Sequence, residues 1–109
     1  MIIHLLNSAM MPQPGNYSLV AMNAPAWRVA FDEFRNGGGN FKSYIGYPQT
    51  AAHIAAVLGV EVPVSREQTV LESGDVIFIC KLKYRVADPA RKGEVVPDEF
   101  EYFVALYTA

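Results

Sequence analysis

Apolar residues occur along the chain in short runs that are separated by glycine, proline and small polar residues. Runs rich in β-branched and aromatic residues predict strands at residues 2–6, 17–22, 41–45, 68–71, 76–84 and 100–107. We expect residues 68–71 and 76–84 to pair through the tight turn at residues 72–75.

Two segments have the pattern of helices. The first has an apolar helix face with the spacing i, i+3, i+4, i+7, which is formed by Trp27, Ala30, Phe31 and Phe34. The second covers residues 48–58, because proline suits a first helical position and Gly59 suits a helix end.

Strands and helices interleave, so the sequence predicts one α/β domain over residues 1–109. Its sheet is expected to be mixed and mainly antiparallel, flanked by two or more helices.

Composition narrows the functional classes. The chain has 109 residues, of which 51% are hydrophobic, and a formal net charge of -2. This charge argues against a duplex nucleic-acid binder. No segment predicts a membrane span or a targeting leader. The single cysteine, Cys80, lies in an apolar run and is expected to be a buried hydrophobic residue. These features predict the reducing interior of a cell.

The most informative stretch is residues 43–50, which predicts a strand, a glycine and the start of a helix. Gly46 permits a sharp turn and the close approach of a ligand. Helix N-termini present unpaired N–H groups to anions, and the Thr50 hydroxyl lies in the first turn. A phosphate site and an ordinary strand-to-helix turn both fit this pattern.

Two arginines add to the phosphate interpretation. Arg66 precedes one predicted strand and Arg85 ends the next, so pairing of these strands puts both near one sheet edge. Guanidinium groups bind phosphate with two parallel hydrogen bonds. The alternative is a pair of solvated charges neutralised by Glu67 and Asp88.

The two histidines predict no metal site, since neither has a partner at ligand spacing. His4 lies within a predicted strand and is expected to be structural. His53 is expected on the outer face of the second helix. No cofactor motif is present in the sequence.

Several blocks, taken in order, resemble the viral type III anti-CRISPR ring nuclease family over about residues 2–88. The blocks are Leu5-Leu6-Asn7-Ser8-Ala9, Ile45-Gly46-Tyr47-x-x-Thr50, Leu58-Gly59-Val60-Glu61-Val62-Pro63-Val64-x-Arg66, Glu72-x-Gly74-Asp75 and Lys81-Leu82-x-x-Arg85. The resemblance implies a homodimer in the host cytoplasm that binds cyclic tetra-adenylate without metal or cofactor. It also implies attack of a ribose 2′-hydroxyl on the adjacent phosphorus. The ligand-binding residues that it implies are Asn7, Ser8, Gly46, Tyr47, Thr50, Arg66 and Arg85.

The chain departs from this family at the catalytic position. The family has a histidine after the glycine, and this chain has Tyr47. Asp88 occupies the place of a family glutamate, so Tyr47 and Asp88 are the candidate catalytic residues. A tyrosine with a pKa near 10 is poorly matched to general acid catalysis at neutral pH.

Three hypotheses remain open at this point. The first is a counter-defence protein of a phage or mobile element that sequesters a cyclic oligoadenylate or cyclic dinucleotide with weak or no cleavage. The second is an active metal-independent ring nuclease, a cyclic oligonucleotide phosphodiesterase. The third is a protein-binding module whose exposed final strand pairs with a partner.

Overall fold

The computed structural model describes residues 2–8, 13–82 and 100–109, which form one mixed sheet with two helices. The elements in chain order are β1 (Ile2–Leu6), β2 (Asn16–Met22), α1 (Ala24–Asn36), β3 (Asn40–Ser43), α2 (Pro48–Leu58), β4 (Val76–Leu82) and β5 (Phe100–Thr108). The sheet has five strands in the order β2-β5-β4-β1-β3. The predicted α/β fold is therefore confirmed.

The sheet combines parallel and antiparallel pairing. Strand β1 runs parallel to both β3 and β4, with four residue pairs in each ladder. Strand β5 runs antiparallel to β2 and β4, with seven residue pairs in each ladder. Antiparallel pairing thus accounts for most of the ladder, although it joins only two of the four strand pairs.

Two sequence predictions about strands are wrong. Residues 68–71 do not form a strand, because the Gln13 side chain takes both backbone groups of Leu71, at 3.0 Å to its carbonyl and 2.9 Å from its N–H. The hairpin expected through residues 72–75 is therefore absent. The final strand β5 is not an exposed edge, since it lies between β2 and β4. The edges are β2 and β3, so the protein-binding hypothesis loses the strand on which it rested.

Helix α1 packs its apolar face on one side of the sheet, as its spacing predicts. The Asn23 side chain caps the helix by accepting a hydrogen bond from the Ala26 N–H at 2.9 Å. Trp27 and Phe31 are fully buried, and the Trp27 indole N–H donates to the Phe103 carbonyl at 3.0 Å. These contacts hold α1 against β5 and the core.

Helix α2 covers the same side of the sheet. It starts at Pro48 and ends before Gly59, whose left-handed φ of 70° provides a helix end that favours glycine. Ala51, Ile54 and Leu58 are buried against the core. The bounds predicted for this helix are confirmed.

The opposite face of the sheet has its own apolar cluster. Its buried members are Leu6, Leu71, Ile77, Ile79, Ala105 and Tyr107. No helix covers this face in the described part of the chain; the segment through Leu71 packs there instead. Cys80 belongs to the helix-side core and is fully buried, as its apolar run predicts.

Candidate functional site

The candidate site lies where the carboxyl ends of the parallel strands β1 and β3 meet. Their pairing sets Leu5 beside Ser43, and the Tyr44 N–H continues the ladder by donating to the Leu5 carbonyl at 3.0 Å. Asn7 and Ser8 follow β1 at this edge, and Asn7 is half-buried whereas Ser8 is exposed. This end of the sheet therefore holds two small polar residues directly after β1.

The N-terminus of α2 lacks a side-chain cap. Tyr47 is the N-cap residue and makes no capping hydrogen bond, in contrast to Asn23 of α1. Pro48 has no N–H, so the N–H groups of Gln49 and Thr50 are the first that this helix presents. The Thr50 residue is only 8% exposed, whereas Tyr47 is 57% exposed. Backbone N–H groups and the positive end of the helix dipole together favour an anion here.

A short connection brings the segment after Pro63 to this helix start. The Ser43 hydroxyl donates to the Pro63 carbonyl at 2.6 Å, and the Ser65 N–H donates to the Ile45 carbonyl at 2.9 Å. Ile45 also forms a parallel bridge with Val64. These contacts set the direction of the chain just before Arg66.

Arg66 lies directly against the glycine of the turn. Its Nε–H donates to the Gly46 carbonyl at 3.3 Å, and its guanidinium carbon is 6.0 Å from the centroid of the Tyr47 ring. A Cβ atom at Gly46 would meet the Arg66 Cγ at 3.3 Å, which is a tight contact. The missing side chain at Gly46 therefore makes room for the Arg66 stem.

Arg66 also has no carboxylate partner within 4.0 Å among the described residues. The structure therefore shows no ion pair between Arg66 and Glu67, and Arg66 is exposed, as the alternative of solvated charges also expects. Arg85 and Asp88, the remaining members of the predicted site, lie outside the described residues. The structure thus brings Gly46, Tyr47 and Arg66 together, with Thr50 in the first turn of the helix.

The two histidines lie elsewhere. His4 is buried in β1, and its Nε2 is 2.9 Å from Asp75 Oδ2, so its structural role is confirmed. The expectation for His53 was wrong. It does not lie on the outer face but stacks on Phe100 with ring centroids 4.2 Å apart, and its Nε2 is 2.7 Å from the Tyr102 hydroxyl oxygen. Burial lowers the pKa of His53 below its ordinary value.

No sequence pattern predicts the His4–Asp75 pair. Its two residues are 71 positions apart, and no motif links them. The sequence predicts only a tight turn at Asp75, whereas the structure buries this residue to 4% exposure.

Comparison with known proteins defines the class of this fold. The solved structure of B116 from Sulfolobus turreted icosahedral virus (STIV) superposes with a TM-score of 0.72, covering 95% of this chain and 97% of that chain at 14% identity. The fold is thus that of a viral α/β protein. Residues 3–103 match the family model described as STIV B116-like, so the chain belongs to the STIV B116-like family. No curated protein sequence matches the chain.

Two features are absent from the described residues. Neither helix is long and apolar enough to cross a membrane. No group of three or more histidine, cysteine, aspartate or glutamate residues is arranged to hold a metal ion in this part of the chain.

Proposed function

We propose that this protein binds a cyclic oligonucleotide second messenger through its phosphates at the start of α2. The observation that carries the proposal is Arg66, which lies against Gly46 and has no carboxylate partner among the described residues. A guanidinium group beside uncapped helix N–H groups suits a phosphodiester oxygen. Membership of the STIV B116-like family supports this assignment.

The ligand class follows from the resemblance to viral ring nucleases. That resemblance implies cyclic tetra-adenylate bound across a homodimer, with Asn7, Ser8, Thr50 and Arg85 completing the surface. The formal net charge of -2 makes a local basic cradle more suitable than a broad electrostatic surface. In a phage or mobile element, such binding would remove an immune signal from the host cytoplasm.

We expect the protein to bind the ligand but to cleave it weakly or not at all, because Tyr47 stands at the catalytic position. This residue is 57% exposed and its ring lies beside Arg66, at the position where the resemblance places a family histidine. A tyrosine hydroxyl gives up its proton reluctantly near neutral pH, and loss of a positioned general acid typically costs about 10²–10⁴ in rate. The exposed ring can instead provide a stacking surface for a base.

Calorimetry with cyclic di-, tri- and tetranucleotides tests the binding proposal. Arg66→Ala should weaken the affinity for the bound ring about tenfold or more, because a hydrogen bond to a charged group contributes about 1.5–3 kcal/mol. Arg28→Ala is the matched control, since Arg28 is an exposed arginine of α1 that faces Asp32 at 3.8 Å. No binding of any ring at micromolar concentration, or equal loss in both variants, would refute the proposal.

Single-turnover cleavage in the presence of EDTA tests the catalytic part. The wild type should leave most of the ligand intact over hours, and Tyr47→Phe should behave in the same way. Tyr47→His should gain cleavage, since an imidazole has a pKa matched to proton transfer at neutral pH. Rapid cleavage by the wild type that Tyr47→Phe abolishes would instead establish an active nuclease.

A further inference from the structure

A hydroxyl group at the end of β3 joins the two chain segments that carry the candidate site. The outgoing segment, residues 43–46, leads into α2, and the returning segment, residues 63–66, follows that helix. Gly46 and Arg66 are 20 positions apart, yet the Arg66 Nε–H donates to the Gly46 carbonyl at 3.3 Å. The position of Arg66 beside α2 therefore depends on how these two segments are held together.

Two kinds of contact hold the segments together. The first is backbone pairing: Ile45 forms a parallel bridge with Val64, and the Ser65 N–H donates to the Ile45 carbonyl at 2.9 Å. The second is the Ser43 hydroxyl, which accepts a hydrogen bond from the Ile45 N–H at 3.3 Å and donates one to the Pro63 carbonyl at 2.6 Å. Regular parallel pairing would join these two backbone groups directly. The hydroxyl therefore acts as a spacer within the pairing of the two segments.

The two backbone groups that this hydroxyl joins depend on it. Ile45 is fully buried and Ser43 is only 8% exposed, so water does not readily take the place of the hydroxyl. Without it, the Ile45 N–H and the Pro63 carbonyl must either stay unpaired or approach each other. The returning segment loses a tie in the first case and moves inward in the second. Arg66, three residues after Pro63, is loosened or displaced in both.

The Arg66 side chain has little else to fix its position. It is exposed, and no carboxylate lies within 4.0 Å of it among the described residues. The contacts that these residues give its guanidinium group are the Gly46 carbonyl and the Tyr47 ring, whose centroid is 6.0 Å from the guanidinium carbon. The spacing between the outgoing and returning segments thus determines where the charge lies.

We propose that Ser43 is a positioning residue for Arg66, because its hydroxyl holds the returning segment at the spacing that puts the guanidinium group at the start of α2. The consequence for ligand binding rests on the proposed function. Ser43 is buried and acts on a bound phosphate through Arg66. Hydrogen bonds weaken steeply when donor and acceptor are misaligned, so a displaced guanidinium group binds a phosphodiester less well.

The first test uses the free protein and follows the Arg66 ¹⁵Nε–¹Hε resonance by NMR. Ser43→Ala should move this resonance toward that of free arginine, because the Nε–H loses its fixed place beside the Gly46 carbonyl. Ser43→Thr keeps the hydroxyl and suits a strand, so the resonance should stay near its wild-type position. Gly59→Ala is the control, since it strains the opposite end of α2, where the added Cβ meets Arg28. An unmoved resonance in Ser43→Ala, or an equal move in the control, overturns the inference.

Calorimetry with cyclic tetra-adenylate measures the consequence for binding. Ser43→Ala should weaken the affinity about three- to tenfold, less than Arg66→Ala, because the guanidinium group is misplaced and not removed. In the double variant the Ser43 change should cost nothing further, since the residue that it positions is gone. Additive losses would indicate a general structural effect and overturn the inference, as would an equal loss in Ser43→Thr and Ser43→Ala.

These measurements separate failure of the inference from failure of the proposed function. If the wild type binds the ring and Arg66→Ala weakens binding while Ser43→Ala does not, the proposed function stands and the positioning role is wrong. If the wild type binds no ring, the proposed function is wrong, and the resonance of the free protein still decides whether Ser43 positions Arg66. Non-additive losses together with a moved Arg66 resonance support both.

Discussion

Asp75 is the most connected buried polar side chain in the described part of the chain, and Asp75→Asn should reveal how much it stabilises the fold. The carboxylate accepts three hydrogen bonds, from the Ile2 N–H, the Glu72 N–H and His4 Nε2. Together they tie the start of β1 and the turn before β4 to one point. An asparagine has one acceptor oxygen and so cannot satisfy all three donors.

The expected loss in the free energy of unfolding follows from these three hydrogen bonds. If the asparagine oxygen keeps the Ile2 N–H, its amide group faces the Glu72 N–H and loses that bond. His4 can keep a neutral bond only by moving its proton to Nδ1, which then becomes a buried donor without a partner. Since a hydrogen bond to a charged group contributes about 1.5–3 kcal/mol, we expect a loss of about 2–4 kcal/mol in the free energy of unfolding. For a chain of this size the midpoint should fall by about 10–20 °C.

The loss of stability caused by Asp75→Asn should decrease as the pH falls. Burial raises the pKa of Asp75, but the hydrogen bonds from Glu72, His4 and Ile2 outweigh it, so the pKa lies below its ordinary value. A lowered pKa means that the stabilisation is complete above the unfolded-state pKa of about 3.9 and is lost as the pH falls through the folded-state value. The difference between wild type and variant should therefore shrink in acid.

Urea denaturation at pH 7 and at steps down to about pH 2, followed by tryptophan fluorescence because Trp27 is fully buried, measures the loss of stability and its pH dependence. Asp32→Asn is the control, since Asp32 is exposed and faces Arg28 at 3.8 Å, and such pairs contribute about 0–1 kcal/mol. The reasoning is refuted if Asp75→Asn costs no more than the control at pH 7, or if its cost is unchanged in acid.

Three further predictions concern single residues. Gly46→Ala should weaken ring binding in the same assay as Arg66→Ala, because the added Cβ meets the Arg66 stem at 3.3 Å; unchanged affinity contradicts that contact. Gly59→Ala should lower the free energy of unfolding by about 1 kcal/mol in urea titrations, since its φ of 70° is strained for alanine. Cys80 should resist iodoacetamide at pH 8 in the folded chain and react in urea, because burial raises its pKa to about 12; labelling of the native protein, read by mass spectrometry, contradicts this.

Local patterns in the sequence determined the elements of this protein. Trp27 and Phe31 mark the buried face of α1 through their spacing, and Pro48 and Gly59 mark the two ends of α2. Such signals act between neighbours in the chain, so a single sequence contains them. The glycine before α2 also predicts a close approach to the backbone, and in the structure the Arg66 stem lies against it.

Only the tertiary structure determined which strands are neighbours and which distant side chains are in contact. The sequence did not show that β5 lies inside the sheet, because strand order depends on long-range pairing and not on the strand's own residues. The Gln13 side chain, 58 positions away, takes the backbone groups that would have made residues 68–71 a strand. His4 and Asp75 meet for the same reason: burying both faces of one sheet forces distant polar groups to satisfy each other.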